Sequence, residues 1–388
     1  MLNFIYDNKT RVIFGKNTEA EVGKFTLQYG KRILLHYGGG SIKKSGLYDR
    51  VVSSLKEKHI EFIELGGVKP NPRLSLVREG IKLCKEQQID FILAVGGGSV
   101  IDSAKAIAVG AKTKHDIWDY FLRKESITDA LPIGVILTIP AAGSETSTGA
   151  VVTNEEGWFK RSIGSLLIRP QFAIMNPELT YTLPTYQTAC GASDIIAHVM
   201  ERYFTNELNV EYTDTLCEVT IKTVMKQAKI SIQNPTDYPS RAEVMWAGSI
   251  AHNGLLGTGR SEDWASHDIE HELSALYDIA HGAGLSIIFP AWMKYVYKHD
   301  VNRFAQFANK VFNIDVNFHD LEETALLGIK ALENFYHEIG LPTTFNEANL
   351  PNDSLEEMAE KATEHGPLGG FVKLHKDDVL SIYKLALE

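Results

Sequence analysis

Phe91-Ile92-Leu93-Ala94-Val95-Gly96-Gly97-Gly98-Ser99 reads as an apolar strand that breaks at three glycines and hands over to a helix running on to about Gly110. Five consecutive apolar residues suit a strand buried on both faces. Upstream the unit has a twin. Ile33-Leu34-Leu35-His36-Tyr37 runs into Gly38-Gly39-Gly40-Ser41, and Ile42, Leu47, Val51, Val52 and Leu55 follow at helical spacing. Between the twins, Phe62-Ile63-Glu64-Leu65 is a strand closed by Gly66-Gly67, and residues 74–87 form a helix. Beyond them Ile133-Gly134-Val135-Ile136-Leu137 is a further strand. Strands alternating with helices build βαβ units and a mostly parallel sheet covered on both faces.

After about residue 178 the strand signals stop. Helical patterns cover about 185–204, 211–232, 239–256, 262–277, 281–298, 300–312, 318–338, 352–364 and 376–387, punctuated by Pro184, Pro235, Pro290, Pro342 and Pro351. The expected fold class is α/β plus all-α. A Rossmann-like, doubly wound domain spans 1–178, and an all-helical domain spans 179–388. Residues 1–14 and a hairpin over 150–163, near Asn154-Glu155-Glu156-Gly157, are small β additions.

Composition removes several functions. Lys plus Arg is 39 against 49 Asp plus Glu in 388 residues, a net charge of −10, which argues against nucleic acid as a partner. No run approaches the about 18 apolar residues of a membrane span, so no membrane partner is expected. The start, Met1-Leu2-Asn3-Phe4-Ile5-Tyr6-Asp7, lacks the basic and apolar regions of a secretory leader. Cys84, Cys190 and Cys217 are few, odd in number and far apart, which fits a reducing, cytoplasmic location. An acidic chain must then hold any anion locally.

The glycine turns supply the means. A glycine turn lets a phosphate approach the backbone, and the helix behind it offers free N–H groups. Neither GGGS is a strict G-x-G-x-x-G, and neither carries a Walker Lys. Either one alone reads equally as a tight turn. Two at strand ends in one sheet favour a nucleotide, because ligands of open α/β sheets lie outside the strand C-termini. Asp102, in the first turn after Ser99, is a helix cap or a ligand-facing carboxylate. NAD sites usually set an acid against the adenosine ribose. After Tyr37 come three glycines, Ser41, Ile42, Lys43 and Lys44, with no acid, which favours NADP(H) over NAD(H) unless the lysines are only a solvated face. Thr138 to Thr148, rich in hydroxyls, is a polar loop or a sugar contact.

The helical half holds a second constellation. Asp194 and His198 share a helix face at i, i+4. His267, His271 and His281 fall within fifteen residues. One carboxylate and several imidazoles suit one borderline divalent ion, Fe²⁺ or Zn²⁺. His267-Asp268-Ile269-Glu270-His271 also fits the H-x-x-E-H of inverted zinc proteases, with Glu270 as base. That reading leaves Asp194, His198 and His281 unused.

Gly96-Gly97-Gly98-Ser99-x-x-Asp102-x-x-Lys105, Pro140-x-x-Gly143-Ser144-Glu145, Asp194-x-x-x-His198 and the His267…His271…His281-Gly282 run together carry a resemblance. Over nearly its whole length the chain resembles the iron-containing (group III) alcohol dehydrogenases, most of all their NADPH-dependent butanol dehydrogenase and aldehyde reductase branch. The resemblance implies a dehydroquinate synthase-like architecture and hydride transfer between NADP(H) and a primary alcohol or aldehyde such as butanol or butyraldehyde. It implies a metal held by Asp194, His198, His267 and His281, iron in some relatives and zinc in others. His271 matches a histidine associated with proton transfer. Gly97, Gly98 and Ser99 match the pyrophosphate turn, and Gly38, Gly39, Ser41 and Lys43 the ribose end. NAD-preferring members often carry an Asp where Gly39 stands. Asp102, Thr138, Ser147 and Lys160 match positions near the nicotinamide ribose, with Asp102 and Lys160 among the candidate catalytic residues. A homodimer is implied as well. An NAD-dependent glycerol- or diol-type dehydrogenase of the same fold is the alternative.

Overall fold

One all-parallel sheet is built from β1 (Arg11–Phe14), β2 (Arg32–Gly38), β3 (Glu61–Val68), β4 (Phe91–Gly96), β5 (Ile133–Leu137) and β8 (Phe172–Met175). The computed structural model describes residues 1–388. Across the sheet the order is β1-β8-β5-β4-β2-β3. β6 (Gly149–Asn154) and β7 (Phe159–Gly164) form a separate antiparallel hairpin that turns through Gly157 at φ +83°. The helices of this half are α1 (Val22–Thr26), α2 (Ser41–Lys44), α3 (Leu47–Glu57), α4 (Leu74–Glu86), α5 (Gly98–Ala111) and α6 (Ile117–Phe121). The remainder is helical: α7 (Thr185–Tyr203), α8 (Glu211–Gln233), α9 (Tyr238–His252), α10 (Ala265–Tyr277), α11 (His281–Val296), α12 (Val301–Phe312), α13 (Leu321–Glu338), α14 (Leu355–Ala362) and α15 (Lys376–Leu385).

Alternation within each strand explains why the sheet is covered twice. Leu34, Ile92, Ala94 and Val135 point into one core with Val77 of α4 and Ile101 and Ile107 of α5. Ile33, Leu35, Phe91, Leu93 and Val95 point into the other with Val51 and Leu55 of α3. The strand order reverses between β2 and β4, since β3 lies on one side of β2 and β4 on the other. Such a switch point is where open α/β sheets bind ligands. Tyr37 stands opposite Val95, so the two glycine turns leave the sheet side by side.

The structure departs from the sequence reading in local ways. Residues 1–14 are read as a small β addition, yet Arg11–Phe14 is the sheet's own edge, parallel to β8. β8 itself escapes the sequence reading because four residues show no period. The helical pattern over 42–55 is two helices, because Gly46 takes φ +73° between them. The Ala150–Ile163 hairpin forms as expected.

The chain packs as two compact units. One comprises Asp7–Leu183 with Pro235–Ser249; the other comprises Met1–Tyr6, Pro184–Asn234 and Ile250–Glu388. The division is therefore not one cut in the sequence. Within the sheet unit, Met245 joins the core that contains Leu34 and Val135, and Trp246 meets the edge of Phe14 at 6.2 Å. No helix is long and apolar enough to cross a membrane.

Candidate functional site

In the helical unit, α7, α10 and α11 converge on Asp194. Asp194 is 4 % exposed. His267 Nε2 lies 4.0 Å and His281 Nε2 3.9 Å from its Oδ1. An ion bonded at about 2.0–2.2 Å to each ligand spans gaps of this size. The opposite ring nitrogens are both taken. His267 Nδ1 is 2.6 Å from Glu201 Oε1, and His281 Nδ1 is hydrogen-bonded to Glu270. A carboxylate behind an imidazole fixes its tautomer and raises its basicity toward a metal. His267 Nε2 is buried and has no hydrogen-bond partner, an atom whose lone pair calls for a cation. Burial, then the neighbouring histidines, push its pKa well down, so the ring is neutral, the form that ligates. The donor set and this orphaned nitrogen fit a divalent ion.

Each remaining candidate has a definite place. His198, one turn beyond Asp194, directs Nδ1 to the Asp194 carbonyl at 2.8 Å and to Oδ1 at 2.9 Å. It borders the Asp194–His267–His281 group, its ring 4.5 Å from that of His267. His271 stands beside His281, ring centroids 5.6 Å apart, and groups with it and Glu270. The protease reading fails on Glu270, which is fully buried and bonded to Ser274 and His281, not poised as a base.

Sequence reasoning missed three residues around this group. Glu201 lies seven residues after Asp194 and three after His198 on α7, a spacing that marks the same face. It binds the backbone N–H of Trp264 at 2.7 Å and of His267 at 3.1 Å as well as the His267 ring, so it positions the start of α10. Burial, then the nearby Asp263, raise its carboxyl well above the ordinary range. The His252 ring lies 4.3 Å from that of His198, tilted by 59°, and nothing in its own sequence context sets it apart. Glu270 was visible only as the protease base.

In the sheet unit the candidate coenzyme residues fall into two groups. The first is the pair of turns. A Cβ at Gly39 or Gly40 would meet nothing within 4 Å, so the backbone lies open to a ligand, whereas one at Gly97 would strike Ile139 at 3.0 Å and one at Gly98 Ala142 at 3.2 Å. Ser99 lies at the start of α5, and Thr138 N–H donates to the Gly96 carbonyl at 3.0 Å, which ties the loop after β5 to the second turn. This backbone cradle fits a dinucleotide.

The second group is a polar cluster under that turn. Asp102 accepts from Ser144 Oγ at 2.6 Å and from Val151 N–H at 3.0 Å. Lys105, fully buried, donates to Ser144 Oγ at 2.9 Å, to the Ser147 and Gly149 carbonyls at 3.1 and 2.7 Å, and approaches Ser147 Oγ at 3.3 Å. Burial raises Asp102, opposed by the charges of Lys105 and Lys160; burial also lowers Lys105 to about 8 and raises Glu145 to about 7. Asp102 and Ser147 are thus brought together through Lys105 and Ser144, neither of which the sequence reading selected as a site residue, and Lys160 acts on Asp102 by its charge.

Lys43 is not free. Its ammonium lies 3.3 Å from Glu64 Oε2 and over the rings of Tyr37 and Tyr48, at 5.0 and 4.6 Å. Tyr37 donates to Glu64 at 2.7 Å, and Tyr48 does so too. Burial raises the Glu64 carboxyl, but the bonds from Tyr37, Tyr48 and Lys43 outweigh it and hold it below its ordinary value.

Residues 9–177 match the model of iron-containing alcohol dehydrogenase, and residues 188–387 that of the C-terminal part of the Fe-containing alcohol dehydrogenase family. The chain is 45 % identical over 390 residues, all of both chains, to a probable NADH-dependent butanol dehydrogenase of Bacillus subtilis (strain 168). It is 36 % identical, over 94 % of each chain, to an NADPH-dependent aldehyde reductase of Escherichia coli (strain K12). The crystal structure of an NADH-dependent butanol dehydrogenase from Thermotoga maritima matches with a TM-score of 0.96 at 42 % identity, covering 100 % of this chain and 99 % of that one. The chain belongs to the iron-containing alcohol dehydrogenase family, a class of alcohol and aldehyde oxidoreductases.

Proposed function

We propose that this chain transfers hydride between a nicotinamide coenzyme and a primary alcohol or aldehyde of the butanol–butyraldehyde kind, using one divalent metal, iron or zinc. The observation that carries the reading is the orphaned His267 Nε2 facing Asp194, with His281 Nε2 beside it. We assign Asp194, His198, His267 and His281 as ligands. His198, whose Nδ1 is engaged with Asp194, would ligate through Nε2. Glu201 and Glu270 hold the protons on Nδ1 of His267 and His281 and so keep the Nε2 lone pairs directed at the ion. When bound, the ion polarises the substrate oxygen and the nicotinamide gives or takes the hydride. His271 carries the proton of the substrate oxygen at a ring nitrogen. Gly97, Gly98 and Ser99 take the pyrophosphate, with Thr138 beside them; Asp102, Ser147 and Lys160 fix the nicotinamide end.

For the coenzyme, NADP(H) is supported by the lack of an acid beside Gly39 and by the open backbone with Ser41 and Lys43 adjacent. NAD(H) is supported by the capture of Lys43 by Glu64 and by the NADH named for the Bacillus subtilis and Thermotoga maritima proteins. We further assign a cytoplasmic location, consistent with three unpaired, buried cysteines. A homodimer fits the exposure of Phe4 and Ile5, 53 % and 96 %, a point that light scattering decides.

The test is His267→Ala. Anaerobically purified wild type should hold about one Fe or Zn per protomer and reduce butyraldehyde with NADH or NADPH. The variant should lose the metal and at least about a hundredfold in turnover while its coenzyme affinity stays within twofold. A metal-free variant that kept full activity would refute the site.

A further inference from the structure

We propose that Glu64 is the residue that sets the choice between phosphorylated and unphosphorylated coenzyme, acting through Lys43. The inference rests on the nicotinamide reading above. Lys43, on the short α2 directly behind the open Gly39–Gly40 backbone, is held by a carboxylate. A 2′-phosphate entering there would need it. Glu64 of β3 already holds it, across the strand pairing in which Leu35 faces Glu64.

Glu64 is fixed as well as charged. Tyr37 and Tyr48 both donate to it, and both rings lie under the Lys43 ammonium. Tyr37 is itself locked: it is 7 % exposed, and a Cβ at Gly66 would strike its ring at 2.5 Å. The glycine at 66 thus leaves room for the tyrosine that aims the carboxylate. A phosphate must therefore take Lys43 from a prearranged partner and then lie near that partner's negative charge. NAD(H), with a hydroxyl there, meets neither cost. Nothing in the local sequence reveals this. The acid expected near a ribose is absent within the turn and arrives from the neighbouring strand.

The test measures Kd for NADH and for NADPH by nicotinamide fluorescence on wild type, Glu64→Gln, Lys43→Met and the double variant, each checked by thermal melting. Glu64→Gln should lower the ratio of the NADPH Kd to the NADH Kd about fivefold, the scale of a partly exposed ion pair. Lys43→Met should raise the NADPH Kd less than twofold in wild type but about fivefold in the Glu64→Gln background. A ratio unchanged within twofold in folded Glu64→Gln, or an equal cost of Lys43→Met in both backgrounds, overturns the role of Glu64 alone. Should Glu64→Gln not fold, Lys43→Met decides: a fivefold loss of NADPH affinity in wild type means that Lys43 is available after all. Wild-type protein that binds neither coenzyme overturns the nicotinamide reading, and this role with it.

Discussion

At the scale of single residues, buried charge is what the sheet unit tolerates for the sake of its polar cluster. Glu145 is 2 % exposed, and burial raises it to about 7 from 4.5. Below pH 4.5 the carboxyl is protonated whether the chain is folded or not. Between 4.5 and 7 only the folded chain keeps the proton, so this group's contribution to stability falls as pH rises and is fully lost above 7. Glu145→Gln has no such dependence. Urea unfolding should show the variant gaining on wild type by up to about 3 kcal/mol between pH 5 and pH 8; parallel pH profiles would refute the assignment. Residue by residue, the clustering of Asp194, His198, His267 and His281 was legible because i, i+4 spacing and a run of histidines survive in sequence. Glu201 was legible in principle by its helix face. Glu64 and the Ser144–Lys105 link were not, because register between strands and loops decides which side chains meet, and no local period encodes it.

At the scale of elements, the grouping of Asp194, His267 and His281 depends on how closely α11 approaches α7. A Cβ on Gly282 would lie 2.0 Å from the Cys190 carbonyl oxygen, a backbone atom that cannot turn aside. Gly282→Ala must push the start of α11, and His281 with it, away from α7. We expect a loss of about 1–3 kcal/mol in thermal unfolding and less than half the wild-type metal content by elemental analysis. A variant with wild-type melting and metal would show that the two helices can part without consequence. Long helices were readable to within a few residues because their apolar stripes repeat over several turns; the pattern over 185–204, for instance, is the helix Thr185–Tyr203. β8 and α6 were not, since Phe172–Met175 is apolar throughout with no alternation and Ile117–Phe121 is little more than one helical turn.

At the scale of the whole molecule, residues 235–249 are a late piece of an early unit. Met245 belongs to the core that contains Leu34, and Ser249 Oγ lies 2.9 Å from Thr146 Oγ1. A fragment ending at Leu183 lacks both. Restoring residues 235–249 through a Gly/Ser tether should stabilise the 7–183 fragment by about 2–5 kcal/mol in urea, the usual cost of an emptied core position. Equal stability with and without the tether would show the segment to be dispensable. The sequence placed the boundary near 178 because strand signals stop there. It could not show the return of 235–249, since a helix reads alike whichever core receives it.

The pairing of β1 with β8 has a consequence for how the protein is made. Arg11–Phe14 leaves the ribosome long before its sole strand partner, which ends at Met175. At about 5–20 residues per second, the nascent chain waits roughly 8–30 s for that partner to be synthesised. During that interval an edge with free main-chain donors and acceptors is exposed, and a holding chaperone or a neighbouring polysome has its best opportunity to bind it.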